Sequence, residues 1–209
     1  LANSGTGAIN IGAADPDNGS EIKNIFTLGT GIDANSEGGP VDIALFGQID
    51  AGDTGIDVSQ NGDQAVTIAL TDTASSVTGT SSDGIKIANS SSGATILVEG
   101  YVYQGGPMVY GTVSGGTYGM DLSTAGSAIT VRNLAAVAGD TGDGIRAQSQ
   151  GGAITIENVS SVTRGANKSA IRAESNGGDI TITDVGIPSF SPAGAGALDR
   201  SYHGIYALS

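Results

Sequence analysis

The sequence predicts an all-β chain: a parallel β-helix (solenoid) of about seven coils that forms a single domain over residues 1–209. Two short phrases of alternating apolar and polar residues recur in a fixed order, with glycine-bearing turns between them. Such alternation is the period of a half-buried strand. Units of roughly 20 to 50 residues that repeat the same strands are typical of solenoids. No segment combines a helical period with helix caps, so we expect no helix.

The first phrase is a glycine, once an alanine, followed by an aliphatic residue, a variable residue and a second apolar residue. Its copies lie at 31–34, 55–58, 84–87, 119–122, 144–147, 170–173 and 204–207. Stacking the coils places the second residues of the copies in one inner core column, namely Ile32, Ile56, Ile85, Met120, Ile145, Ile171 and Ile205. The third residues then form an outward ladder: Asp33, Asp57, Lys86, Asp121, Arg146, Arg172 and Tyr206.

The second phrase follows the first after a polar turn. Its clearest copies lie at 128–131, 153–156 and 179–182, with looser copies at 41–43, 66–68 and 95–98 and a lead copy at 8–11. The turns are rich in glycine and asparagine, which tolerate positive φ. A third, weaker β segment follows in several units, for example at 136–138 and 161–163. Two or three short strands in each unit therefore make one coil.

Two coils are longer than the others, because insertions at 100–118 and 186–203 precede the next first phrase. Both insertions are expected to leave the same corner, three coils and hence roughly 14 Å apart. Loops on a rigid scaffold often carry binding sites, and aromatic rings give a large contact area at low entropic cost. The predicted ligand-binding residues are Tyr101, Tyr103, Tyr110 and Tyr118 in the first insertion and Phe190 and Tyr202 in the second. The alternative is that these rings pack on the rod and cover their own loops.

The charge balance excludes several classes of partner. The chain holds 8 basic and 21 acidic residues, for a net charge of −13. Such a surface cannot neutralise a run of phosphates, so we expect no nucleic acid, and it does not favour anionic lipid.

No apolar run approaches the roughly 18 residues of a membrane span, so we expect no direct membrane insertion of this segment. The chain has no cysteine, which excludes disulfides and thiolate sites.

Two features of the sequence could indicate catalysis: a repeated Asp-Thr-Gly tripeptide and the single histidine. Asp-Thr-Gly occurs at 53–55 and 140–142, and a pair of such tripeptides is the signature of aspartic proteases. Because Gly55 is also the glycine of a first phrase, we interpret both tripeptides as turns. The single histidine, His203, lies in an insertion without a nucleophile elbow. The sequence therefore predicts no enzyme, no catalytic residue and no cofactor.

Outward carboxylates leave one enzymatic alternative open. Asp33, Asp42, Asp57 and Asp63 could serve a carbohydrate-active β-helix enzyme, a polysaccharide lyase or hydrolase. Residues 139–144 approximate one turn of a calcium-binding β-roll, but the pattern does not recur. We therefore expect Asp140 and Asp143 to cap a turn, and we expect no metal site.

The repeats at 142–159 (GDGIRAQSQGGAITIENV) and 169–185 (SAIRAESNGGDITITDV) resemble the β-helical passenger regions of bacterial autotransporters (type V secretion). The resemblance extends over residues 31–209. It implies a right-handed, three-faced β-helix that is displayed on the exterior of the outer membrane or secreted, and that acts as an adhesin or structural stalk. The implied partners are proteins or glycans of a host cell, a neighbouring cell or the matrix.

A passenger of this kind is continuous with further β-helix and with a membrane β-barrel, so we expect the chain to be a fragment of a longer protein. Two other exported β-helix classes remain as alternatives: two-partner-secreted filamentous adhesins and phage tail proteins.

Overall fold

The computed structural model describes residues 2–3, 7–12, 24–100, 110–166, 168–187 and 204–209. These residues form a β-solenoid in which each strand pairs in parallel with the equivalent strand of the next coil, and they contain no helix. Three sheets run along the rod, with eight, seven and six strands. The predicted parallel β-helix is confirmed. The described residues therefore contain no helix that could cross a membrane.

The first sheet is built from the first phrases, as predicted. Its strands are β1 (Ala2–Asn3), β4 (Ile32–Ser36), β7 (Ile56–Gln60), β10 (Ile85–Asn89), β13 (Met120–Thr124), β16 (Ile145–Ser149), β19 (Ile171–Ser175) and β21 (Ile205–Leu208). The pairing register places the second residues of the phrases above one another and the third residues in one outward ladder. Both columns match the sequence prediction.

The second sheet is built from the second phrases. Its strands are β2 (Ile9–Ile11), β5 (Val41–Leu45), β8 (Val66–Leu70), β11 (Ile96–Gly100), β14 (Ile129–Leu134), β17 (Ile154–Val159) and β20 (Ile180–Val185). The looser phrases and the lead copy therefore form strands in register with the clear ones.

The third sheet is made of shorter strands. They are β3 (Asn24–Thr27), β6 (Gln48–Ala51), β9 (Ser76–Gly79), β12 (Thr112–Gly115), β15 (Ala136–Gly139) and β18 (Val162–Thr163). From β6 onwards, one large aliphatic side chain per strand points inward in register with its neighbours: Ile49, Val77, Val113, Val137 and Val162.

The core is a continuous aliphatic column between the three sheets. Along the first sheet, the inner residues from Ile32 to Ile171 are no more than 7% exposed. Ile205 is 43% exposed, because β21 has a neighbouring strand on one side only. Burial of each such side chain contributes about 1.5–3 kcal/mol, so stacking the coils is the main source of stability.

A buried polar side chain ends nearly every strand of the first sheet, where the chain turns towards the second sheet. These residues stack in register and form an inner polar ladder: Ser36, Gln60, Asn89, Thr124, Ser149 and Ser175. The Ser149 hydroxyl accepts a hydrogen bond from Gly152 N (2.8 Å) and donates one to Ser127 O of the preceding coil (3.0 Å). Five of the six side chains accept a hydrogen bond from a backbone amide of the following turn, and Ser36 instead donates to Gly39 O. They supply the partners that the buried backbone groups of the turn would otherwise lack.

The second sheet turns towards the third through residues with positive φ. Asn133, Asn158 and Asp184 have φ of 58°, 51° and 52°, and Asn158 Nδ2 donates to Asn133 Oδ1 (2.8 Å). Asparagine and aspartate are the residues other than glycine that most readily adopt this conformation. The same corner therefore recurs in three successive coils.

Candidate interaction surface

The three longest connections of the chain all follow strands of the second sheet. Residues 12–23, 101–111 and 186–204 follow β2, β11 and β20, which are the first, fourth and seventh strands of the second sheet. At about 4.8 Å per strand, these points lie roughly 14 Å apart. The two predicted insertions therefore follow equivalent strands three coils apart, as expected. In the second, Gly186 and Ile187 still belong to the rod, because Gly186 O accepts a hydrogen bond from Val162 N (2.8 Å) and Ile187 packs against the core. The connection after β2 adds a third such point, which the sequence analysis missed.

Most of the predicted contact residues lie outside the described residues. These are Tyr101, Tyr103, Phe190 and Tyr202. The single histidine, His203, also lies outside the described residues. The first insertion is also shorter than predicted, because its last part belongs to a strand. Residues 112–115 form β12, paired with β9 and β15, so they belong to a regular coil and not to a loop. A strand of four residues with one inward valine is too short to show an alternating pattern clearly.

Tyr110 lies where the first insertion rejoins the rod, and its side chain is half-buried. The next residue, Gly111, has φ of 96°, and a Cβ there would lie 3.0 Å from the side chain of Leu70. Gly111 O also accepts a hydrogen bond from Ala135 N (3.0 Å). Glycine meets both the positive φ and the lack of space for a Cβ. Gly111 therefore fixes where the chain rejoins the coil.

Tyr118 is held by the rod. Its ring centroid lies 4.1 Å from Cζ of Arg146, and Arg146 Nη1 donates to the Tyr118 hydroxyl (3.0 Å). The ring is half-buried in the turn that precedes β13. Tyr118 therefore packs on the rod through a cation–π contact that also orders the arginine.

The outward ladder of the first sheet is a row of lateral ion pairs. Lys86 Nζ lies 3.5 Å from Asp57 Oδ2, and Arg146 makes a bidentate pair with Asp121 one coil below. Arg172 pairs instead with Glu174 on its own strand, at 2.7 Å. The predicted order of the ladder, which places Lys86 between Asp57 and Asp121, is thus confirmed. The two more exposed pairs, Lys86 with Asp57 and Arg172 with Glu174, contribute between zero and about 1 kcal/mol each.

The ion pairs shift the protonation equilibria of their members. The hydrogen bond from Arg172, assisted by one from Gln148, lowers the pKa of the Glu174 carboxyl below its ordinary value. The hydrogen bond to Asp121 raises the pKa of Arg146, and that to Glu174 raises the pKa of Arg172. Both arginines and Glu174 are therefore charged at neutral pH, so this part of the face presents fixed charges.

Two buried carboxylates occupy equivalent turns that lead into the first sheet. Asp83 Oδ1 accepts a hydrogen bond from Tyr118 N (3.2 Å), and Asp143 Oδ1 accepts one from Ser169 N (2.7 Å). Each carboxylate thus binds the turn of the next coil, which confirms the turn-capping role expected of Asp143. Asp83 was missed, although the Asp-Gly that precedes the phrase is its signal in the sequence. Because the same carboxylate–amide contact recurs in two coils, we interpret it as part of the coil stacking and not as a binding site.

Burial raises the pKa of the Asp83 carboxyl, with the hydrogen bond from Tyr118 N opposing the shift. A raised folded-state pKa means that the ionised form costs stability above that pKa, and that the cost disappears below the unfolded value. We expect Asp83→Asn to raise the melting temperature at neutral pH, because the amide oxygen can still accept from Tyr118 N. The gain should shrink as the pH falls into the carboxyl range. Thermal melts of both proteins from pH 7 to about pH 4 measure it, and a gain that grows on acidification would contradict the assignment.

The two Asp-Thr-Gly tripeptides do not meet. They precede β7 and β16, three strands apart in the first sheet and hence roughly 14 Å apart. An aspartic dyad requires two carboxylates that share one proton, so the interpretation of both tripeptides as turns is confirmed. Among the described residues, no group of three or more histidine, aspartate or glutamate side chains could hold a metal ion.

The likeness to autotransporter passengers rests on the repeat phrases. No family model matches this chain, and neither a curated protein nor a solved structure matches it. The assignment to the passengers therefore stays a prediction.

Proposed function

We propose that the chain is a non-enzymatic β-solenoid rod, displayed on the cell exterior or secreted, that binds other surfaces through its insertions. One observation carries this proposal: the three longest connections follow the first, fourth and seventh strands of the second sheet and so recur at every third coil. A rigid scaffold with evenly spaced loops suits binding by several weak contacts at once, since each bound loop raises the effective concentration of the next. The partner class is a protein or glycan on a host cell, a neighbouring cell or the matrix.

The ladder of the first sheet favours a scaffold over a polysaccharide-cleaving site. Cleavage by two carboxylates needs one protonated and one ionised group that face the same substrate. Of the candidate carboxylates, Asp57 forms an ion pair with Lys86, Asp33 accepts a hydrogen bond from Asn35 Nδ2 (2.9 Å), and Asp63 accepts one from the Ser91 hydroxyl. These carboxylates serve the rod itself.

The test replaces residues 101–109 with a Gly-Asn turn and leaves Tyr110, Gly111 and β12 in place. Stability should change little, because closing a loop costs only about 0.6 kcal/mol for each doubling of its length. Binding to the cells, matrix proteins or glycans that retain the wild-type protein should be lost, because aromatic anchors dominate contact energy.

The matched control replaces the same residues with a glycine-serine segment of equal length, which keeps the loop but removes Tyr101 and Tyr103. Equal loss of binding in both variants assigns the contact to the aromatic residues. Full binding by both variants would contradict the role of this insertion and direct the same test to 188–203. Reproducible cleavage of a neutral or acidic polysaccharide by the wild-type chain would contradict the non-enzymatic function.

A further inference from the structure

The outward ladder of the first sheet has an order of charges that complements itself. Over six successive coils its members are Asp33, Asp57, Lys86, Asp121, Arg146 and Arg172. The signs along the rod are minus, minus, plus, minus, plus, plus. Reading the row backwards and exchanging every sign gives the same row. Two copies of this face can therefore meet with an opposite charge at each of these six positions, and the seventh member of the ladder, Tyr206, carries no charge.

We propose that this face binds a second copy of the chain, with the two rods antiparallel. The two-fold axis runs along the strands and passes between Lys86 and Asp121. Three opposite-charge pairs then form, each of them twice: Asp33 with the second copy's Arg172, Asp57 with its Arg146, and Lys86 with its Asp121. Isologous contacts of this kind close the assembly at a dimer.

The second outward column of the same sheet is compatible with this arrangement. Its members are Asn35, Ser59, Ala88, Ser123, Gln148 and Glu174, in register across the same strands. The two-fold axis places Ala88 opposite Ser123 at the centre, where small side chains let the two faces approach. At the rim it places Asn35 opposite Glu174, an amide donor opposite a carboxylate. No like charges face each other in this column.

The two columns together are almost neutral, although the chain carries a net charge of −13. They contain four acidic residues (Asp33, Asp57, Asp121 and Glu174) and three basic ones, so 3 − 4 = −1. Two copies that approach through this face avoid most of the mutual repulsion of the chain. The ion pairs within each rod also hold the arginines in place before contact, which lowers the entropy lost on binding.

The size of the face sets the strength of the dimer. Six strands at about 4.8 Å and five residues at about 3.3 Å span roughly 470 Å² on each copy. The total of roughly 940 Å² lies below the roughly 1,200 Å² of stable specific interfaces and within the range of weak, transient ones. The dimer is therefore weak and reversible, and its specificity comes from the order of the charges.

The test uses Asp33→Arg and Arg172→Asp, at opposite ends of the ladder. Within one rod, the first change places an arginine beside Asp57 and the second places an aspartate beside Arg146. Neither change therefore adds a like-charge contact between neighbouring coils of the ladder. Arg172→Asp does remove the ion pair with Glu174 and place a second carboxylate on the same strand, so its fold must be checked by a thermal melt. In a homodimer each change creates two like-charge contacts, which weaken association. We expect each variant alone to dimerise at least about tenfold more weakly than the wild type in sedimentation equilibrium at about 0.15 M salt, where the screening length is about 8 Å.

Mixing the two variants should restore dimerisation, because the introduced arginine of one copy then faces the introduced aspartate of the other and the remaining pairs are those of the wild type. The controls are Asp53→Arg and Lys168→Asp, which make the same charge changes at exposed positions outside the ladder and should dimerise like the wild type. A wild type that stays monomeric at every concentration would overturn the proposal, as would a mixture that dimerises no better than its components. Thermal melts confirm that each variant is folded.

Discussion

Ile154→Asp is expected to unfold the chain or to lower its stability by at least about 3–5 kcal/mol, the cost of a buried, unpaired charge. Ile154 is fully buried and stacks between Ile129 and Ile180 of the neighbouring coils. No cation lies in this aliphatic column among the described residues, so the carboxylate either ionises without a partner or stays protonated against its preference at neutral pH.

Thr155→Asp is the matched control, because it introduces the same side chain one residue later on the outward face. Its neighbours are Thr130 and Thr181, and the cost should stay within about 1 kcal/mol. Urea unfolding followed by circular dichroism compares the two variants. Similar midpoints would show that the register of the second sheet is wrong.

Gln60→Leu should lower the free energy of unfolding by about 1–3 kcal/mol, the cost of leaving buried polar groups unsatisfied. Gln60 is fully buried in the inner polar ladder, where Nε2 donates to Gly39 O (2.7 Å) and Gln64 O (3.2 Å) and Oε1 accepts from Gly62 N (3.2 Å). Leucine fills about the same space but forms none of these hydrogen bonds. Three buried backbone groups of the turn between the first and second sheets therefore lose their partners.

The same substitution at Gln64, an exposed residue of that turn, provides the control and should change stability by less than about 0.5 kcal/mol. Chemical denaturation of both variants measures the difference. Equal losses would mean that the Gln60 side chain contributes no more than a surface amide.

The sequence predicted the two long strands of each coil, their parallel stacking and the order of the outward ladder. These features follow from alternation, which records which side of a strand is buried. The third sheet was harder to predict, because a four-residue strand with one inward valine, such as β12 with Val113, has hardly two periods. That is why 100–118 was interpreted as a single insertion.

The inner polar ladder was missed for a different reason. A polar residue at the end of a strand, such as Ser149, looks like the start of an exposed turn, and burial depends on the coil above and the coil below. The recurrence of a polar residue two positions after each first phrase was a usable signal. The contact between Tyr118 and Arg146 joins residues 28 positions apart, so no local pattern could show it.

The parallel stacking of coils also determines how the rod responds to mechanical load. The backbone hydrogen bonds between strands run along the rod axis, and each coil contacts only its immediate neighbours. A pull along the axis therefore stretches the bonds of one interface between coils at a time, and we expect the coils to detach in sequence at low force. A pull along the strands would instead have to shear many such bonds together, so the rod should resist a sideways load far better than an axial one.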